Sequence, residues 1–176
     1  MQNKNTQEFD DIIRDIIENP KVQEMKKYKQ HYETSTFDHC YMVSYYCYKV
    51  CKKLKLDYKS AARAGMLHDF FLYDWRIKNG RKGLHAFTHG KTACKNASEL
   101  FELSEKEKDM IIKHMWPVTP QFPKSKEGFI LTLIDKHCAL AEAIKVLKKN
   151  IHKNKVWRYA YIFLAMIVLK INKGNN

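Results

Sequence analysis

A chain of 176 residues is long enough to close one core of its own, and a hydrophobic content of 45% excludes an intrinsically disordered chain. Only 6 Gly and 4 Pro leave too little turn punctuation for a many-stranded fold, so composition favours an all-α architecture. The net charge of +13 admits nucleic acid as a partner, but 27 of the 32 basic residues are Lys and 5 are Arg, whose planar fork specific phosphate and base readout leans on; the Lys are scattered, so a solvated surface with a general attraction for small anions is favoured over a nucleic-acid platform.

Phe9, Ile12, Ile13, Ile16 and Ile17 recur at spacings of three and four and predict a first helix. Asn19-Pro20 interrupts it, and "KVQEMKKYKQH" is expected to resume it. Ser35 and Thr36 are N-cap candidates for "TFDHCYMVSYYCYKVCKKL", whose aromatic stretch 41–48 suits either a core or a dimer face of a homo-oligomer. "DYKSAARAGMLHDFF" reads as the next helix, with small residues that let neighbours approach closely. "YDWRIKNGRKGLHAF" reads as a loop of about 15 residues, a length that is uncommon in compact domains and often functional. Thr88 is expected to cap the helix that His89 opens. Ser104 and Glu107 form a capping box for "EKEKDMIIKHM". "WPVTPQFPKS" holds three of the four prolines and must be a loop, after which "KEGFILTLIDKHCALAEAIKVLKK" is a long helix. A final helix is expected over 153–172, and its apolar run 159–169 is too short for a bilayer, which needs about 20 residues.

The five cysteines, Cys40, Cys47, Cys51, Cys94 and Cys138, are odd in number and contain no CxxC pair. They read as small core residues of a reduced chain. With a polar N-terminus lacking an apolar targeting core, a cytoplasmic protein with no membrane association is expected.

His39, His68, Asp69, His89, His114 and Asp135 fall at inner helical positions or helix ends, 29, 21, 25 and 21 residues apart when His68 stands for the His-Asp pair. Each interval is about one helix plus a connection, so all can converge in one bundle core, where facing helices bring His and carboxylate ligands onto metals. Asp69 lies in "GMLHDFFLYDW", and an ionised carboxylate buried there without a partner costs several kcal/mol or more. Adjacent helical residues diverge by about 100°, so the His68-Asp69 pair must sit at a helix end or beside a cavity.

The order His39, His68-Asp69, Asp135 resembles the H…HD…D signature of the HD superfamily of metal-dependent phosphohydrolases, over roughly residues 36–145. "FTHGKTACKNA" and "IIKHMWP" are similar to the segments that supply two further ligands in binuclear members, here His89 and His114. "HAFTH" and "KHMWP" look closest to a little-characterised bacterial branch. The aromatic "HDFFLYDW" departs from the cyclic-dinucleotide phosphodiesterases of the superfamily, which argues against that substrate. The resemblance implies an HD-domain-like bundle of about seven helices. It implies one domain over 1–176, with a core at 36–145 and with helices at 7–30 and 153–172 packing on it.

The ligand set then divides: His39, His68, Asp69 and Asp135 on one ion, with Asp69 bridging to a second held by His89 and His114. One or two divalent transition metals, Mn, Fe, Zn, Co or Ni, suit this mixture of imidazole and carboxylate. With two ions bound the site carries about +2 and attracts phosphate, and two-metal sites activate water for in-line attack on a phosphoester. The expected activity is that of a phosphohydrolase, mono- or diesterase, acting on a nucleotide or other small phosphoester. Its alternatives are a di-iron oxygenase on the same fold and a non-catalytic basic nucleic-acid-binding domain. Asp69 and His85 are the candidate catalytic residues; His85 reads as a proton donor, a phosphate contact, a substitute ligand for His89 or a plain loop residue. Arg81, Lys82 and Lys91 can grip phosphate or be exposed charges, and Trp116, like Trp75, can stack on a base or wall the cavity.

Overall fold

The first helix, α1 (Lys4–Ile17), places Phe9, Ile13 and Ile16 on one face, and all three are fully buried. Pro20 then opens α2 (Pro20–Gln23), capped by the Asn19 side chain, which accepts from the Lys21 N–H. A computed structural model describes residues 4–31, 33–78, 80, 83–153 and 159, without the side chains of 4, 5, 31 and 150–153. The expected terminal helix therefore lies almost wholly outside the described residues.

The chain does not resume a helix up to His31 as its sequence suggests. After a 3-10 turn (Glu24–Lys27), β1 (Lys29–His31) pairs antiparallel with β2 (Thr34–Ser35), with a register irregularity between Lys29 and His31. Ser35 caps α3 (Thr36–Lys53) by accepting from the Asp38 N–H. The aromatic stretch on α3 packs on α1: Phe9 meets the rings of Tyr41, Tyr45 and Tyr48 at centroid distances of 5.5, 5.2 and 5.4 Å. Tyr48 of that stretch is buried, as a core reading expects, while Tyr46 is exposed.

Next, α4 (Tyr58–Leu67) runs tightly against α3. A Cβ on Gly65 would stand 2.8 Å from Ser44 Cα, and Ser44 Oγ donates to the Ala62 carbonyl at 2.6 Å. The helix stops at Leu67, so His68 and Asp69 lie in the turn that follows, as their adjacency requires. The expected start of α5 (His85–Ser98) is corrected by one turn. Leu84 occupies the N-cap without a side-chain bond, and Thr88 sits inside the helix, donating to the Leu84 carbonyl at 3.1 Å. Gly90 permits close approach of α5 to α6 (Glu105–Lys113): a Cβ there would stand 2.9 Å from the Ile112 carbonyl oxygen. Ser104 and Glu107 form the predicted capping box.

The last described helix is α7 (Lys126–Lys153), and its first half contributes Leu131 and Cys138 to the core. All five cysteines are buried, and none forms a disulfide. The architecture is all-α, with one short hairpin among the described residues. Backbone proximity groups the chain into two compact units, Met1–Ala139 and Leu140–Asn176. Every residue described below belongs to the first.

Candidate metal centre

Five elements each bring part of one buried cluster. His39 comes from the first turn of α3, and His68-Asp69 from the turn after α4. His89 lies one turn into α5, His114 follows the end of α6, and Asp135 lies in α7. His39, His68 and His114 are at most 1% exposed, and Asp69 is 2% exposed. Three overlapping groups have donor atoms within 4.8 Å of one another: His39, His68 and Asp69; His68, His114 and Asp135; Asp69, His89 and His114.

The ring nitrogens are pre-oriented by local backbone. Nδ1 of His68 lies 2.8 Å from the Gly65 carbonyl, Nδ1 of His89 lies 2.7 Å from the His85 carbonyl, and Nδ1 of His114 lies 2.8 Å from the Ile111 carbonyl. A carbonyl can only accept, so each Nδ1 carries the proton and each neutral ring turns an Nε2 lone pair inward. Metal-ligating histidines are tuned in this way. Nε2 of His89 and His114 then face each other at 2.9 Å. Asp69 Oδ1 lies 3.2 Å from His89 Nε2 and 3.5 Å from His114 Nε2, while Oδ2 lies 3.4 Å from His68 Nε2. Asp135 Oδ1 lies 3.1 Å from His39 Nε2 and 3.6 Å from His68 Nε2.

A centre made of lone pairs and carboxylates needs positive charge. His68 Nε2 and Asp69 Oδ1 are buried without a hydrogen-bond partner. In the metal-free chain, protons supply part of the compensation. Burial opposes charge on His68 and Asp69, but their mutual attraction outweighs it: Asp69 is held well below the usual carboxylate range and His68 well above the usual imidazole range. Asp135 is likewise held down against burial by His39 and His68. For His114 burial prevails over the pull of Asp69 and lowers the pKa to about 3. The donor set thus fits divalent cations, with imidazole nitrogens and carboxylate oxygens as ligands and no thiolate among them.

A cavity of about 320 Å³ opens beside the cluster, reaching Asp69, His89, His114 and Asp135. Its other walls include Gln30, Trp75, His85, Met115, Val118 and Lys136. His85 stands at the cavity with its ring stacked between Trp75 (5.5 Å, 16°) and His89 (4.5 Å, 23°), and its Nδ1 lies 3.2 Å from the Tyr73 hydroxyl. Lys136 is half-buried and donates to the His114 carbonyl at 3.1 Å, and burial lowers its pKa.

The structure brings together all six sequence-derived ligand candidates, and His85 with them. It does not bring Trp116 to the cavity: that ring packs on Phe122 and Phe129 at 5.0 and 5.8 Å, and Trp75 lines the cavity instead. Lys91 is exposed on α5 and is not among the cavity-lining residues. Arg81 and Lys82 lie outside the described residues. Gln30 and Lys136 escape the sequence reading. For Lys136 the signal was its place beside Asp135; for Gln30, in a Lys-rich segment read as helix, there was none.

Among known protein families, the HD domain matches residues 36–140. No curated protein and no solved structure matches the chain.

Proposed function

Because the chain belongs to the HD-domain family, whose members are mostly metal-dependent phosphohydrolases, we propose that it is a cytoplasmic hydrolase of small phosphoesters, nucleotides included. One observation carries this reading: Asp69 offers its two oxygens to two different histidine groups at the end of a cavity that also presents a lysine.

In this reading His39, His68, Asp69 and Asp135 hold one ion, and Asp69, His89 and His114 hold the other. His114 also lies within reach of His68 and Asp135, so it stands between the two positions. Bound there, divalent ions supply Lewis acidity and an activated water. The remaining work belongs to the chain. Lys136 gives the phosphate a charge-assisted hydrogen bond from the side of α7. His85, oriented by Tyr73 and held by its ring neighbours, hands a proton to the leaving oxygen. Trp75, Met115 and Val118 shield the ester from bulk water.

The test is a panel of phosphomonoesters, phosphodiesters and nucleotides offered to metal-loaded protein, with phosphate release and oxygen consumption both recorded. Phosphoester cleavage that is abolished in Asp69→Ala is expected. Substrate-dependent oxygen uptake without cleavage would replace this reading with the di-iron oxygenase. Salt-sensitive nucleic-acid binding that survives Asp69→Ala, without turnover of any ester, would replace it with a binding domain.

A further inference from the structure

Gln30 is a buried polar side chain that reaches the centre from the hairpin, not from a helix or from the turn that ends one. It sits on β1, between Lys29 and His31, where the hairpin register is irregular. Such irregularities re-aim a side chain, and Gln30 is 7% exposed although it lies between lysine-rich neighbours. Its Nε2 donates to Asp69 Oδ2, the oxygen that faces His68. An ionised carboxylate can only accept, so the amide orientation is fixed by chemistry. Its Oε1 is left buried and without a partner, as are His68 Nε2 and Asp69 Oδ1. Its main-chain carbonyl accepts from Trp75 Nε1 at 3.1 Å, and Trp75 lines the cavity.

We propose that Gln30 is a positioning residue of the metal centre, holding Asp69 in the orientation that lets one carboxylate serve both histidine groups. An unrestrained carboxylate could rotate about its last bond and give both oxygens to one group. The hydrogen bond to Oδ2 pins one oxygen on the His68 side and so directs Oδ1 toward His89 and His114. The same residue joins Asp69 to Trp75, so the wall that meets the ester and the shared carboxylate are fixed together. The buried, unpartnered Oε1 adds a negative dipole end beside the cationic positions. This role rests on the two-ion reading of the cluster.

The experiment titrates the metal-free, full-length chain with Mn(II), following binding by calorimetry and the bridged pair by its exchange-coupled electron paramagnetic resonance signal. Gln30→Met keeps the bulk and removes the amide; Gln30→Ala removes both. Loss of partners that orient metal ligands weakens binding by about 10–100-fold. The expected result is that loss for the more weakly bound ion in both variants, a smaller change for the other ion, and loss of the coupled signal at sub-saturating metal. Thermal unfolding of the metal-free variants checks that they fold, and if Gln30→Ala fails this check, Gln30→Met decides. Unchanged affinities with an unchanged coupled signal would overturn the proposal and leave Gln30 as a hairpin packing residue. A single ion in the wild type would overturn it by removing the bridge. No binding by the wild type would overturn the metal reading itself, and this role with it.

Discussion

In the proposed reaction, Asp69 and His85 divide the chemistry between them. Asp69 is shared by the two histidine groups, whereas His85 touches the cavity and stacks on His89. If His85 protonates the leaving oxygen, its removal should hurt most where the leaving group is a poor one. His85→Gln is expected to lower kcat for an alkyl phosphate by about 100-fold or more, within the range of general acid catalysis, and to spare nitrophenyl phosphate, whose leaving group needs no proton. Steady-state kinetics on the two esters checks this; equal losses would move His85 to a binding role. The six metal-ligand candidates were legible because they fall on five separate helices or helix ends at one-element intervals, with His68 and Asp69 sharing one of them. Trp116 was misplaced by its nearness to His114 in sequence: the chain turns after α6, and the ring joins Phe122 and Phe129. Gln30 carried no signal because its role depends on a hairpin that brings it 39 residues along the chain to Asp69.

Helices deliver these residues through two close approaches. Gly65 lets α4 press on α3, which sets His68 near His39, and Gly90 lets α5 press on α6, which sets His89 near His114. At Gly90 the obstacle to a side chain is backbone, the carbonyls of Ile111 and Ile112, which cannot swing away. Gly90→Ala should therefore cost about 1–3 kcal/mol as an overpacking change. That corresponds to a fall in Tm of about 2–12 °C for a chain of this size, with weaker binding of the ion shared by His89 and His114. Calorimetric melting and metal titration test both parts, and a wild-type Tm would show that the two helices have slack. Helix existence was legible from apolar periodicity and capping residues; Ser104 is the clearest case. The start of α5 was not, because Leu84 cannot cap and Thr88, a good cap residue, is used inside the helix. The hairpin was missed because three residues on one strand and two on the other are too few to establish an alternating pattern.

At the scale of the whole molecule, α1 is joined to α3 and α4 by one carboxylate outside the cluster. Glu8 accepts from Lys52 and from the hydroxyls of Tyr58, at 2.9 Å, and Tyr48, at 3.0 Å. Lys52 first, then Tyr58 and Tyr48, hold its pKa down to about 2 from 4.5. The unfolded chain therefore binds more protons in that interval, so this contribution is full above pH 4.5 and is lost as the pH falls toward about 2. Glu8→Gln should flatten the dependence of unfolding free energy on pH across this window. An unchanged slope in denaturant titrations from pH 5 to 2 would assign acid sensitivity elsewhere. No described helix is long and apolar enough to cross a membrane, and a net charge of +13 over the chain suits an anionic ester. The proposed hydrolysis depends most on the buried cluster being a centre for two ions. Elemental analysis of tag-free protein, purified without chelators and then loaded with Mn, Fe, Zn, Co or Ni, tests it beside Asp69→Ala and His114→Ala. About two ions per wild-type chain, with loss in both variants, are predicted from the shared carboxylate. A wild-type chain that binds one ion or none would contradict it.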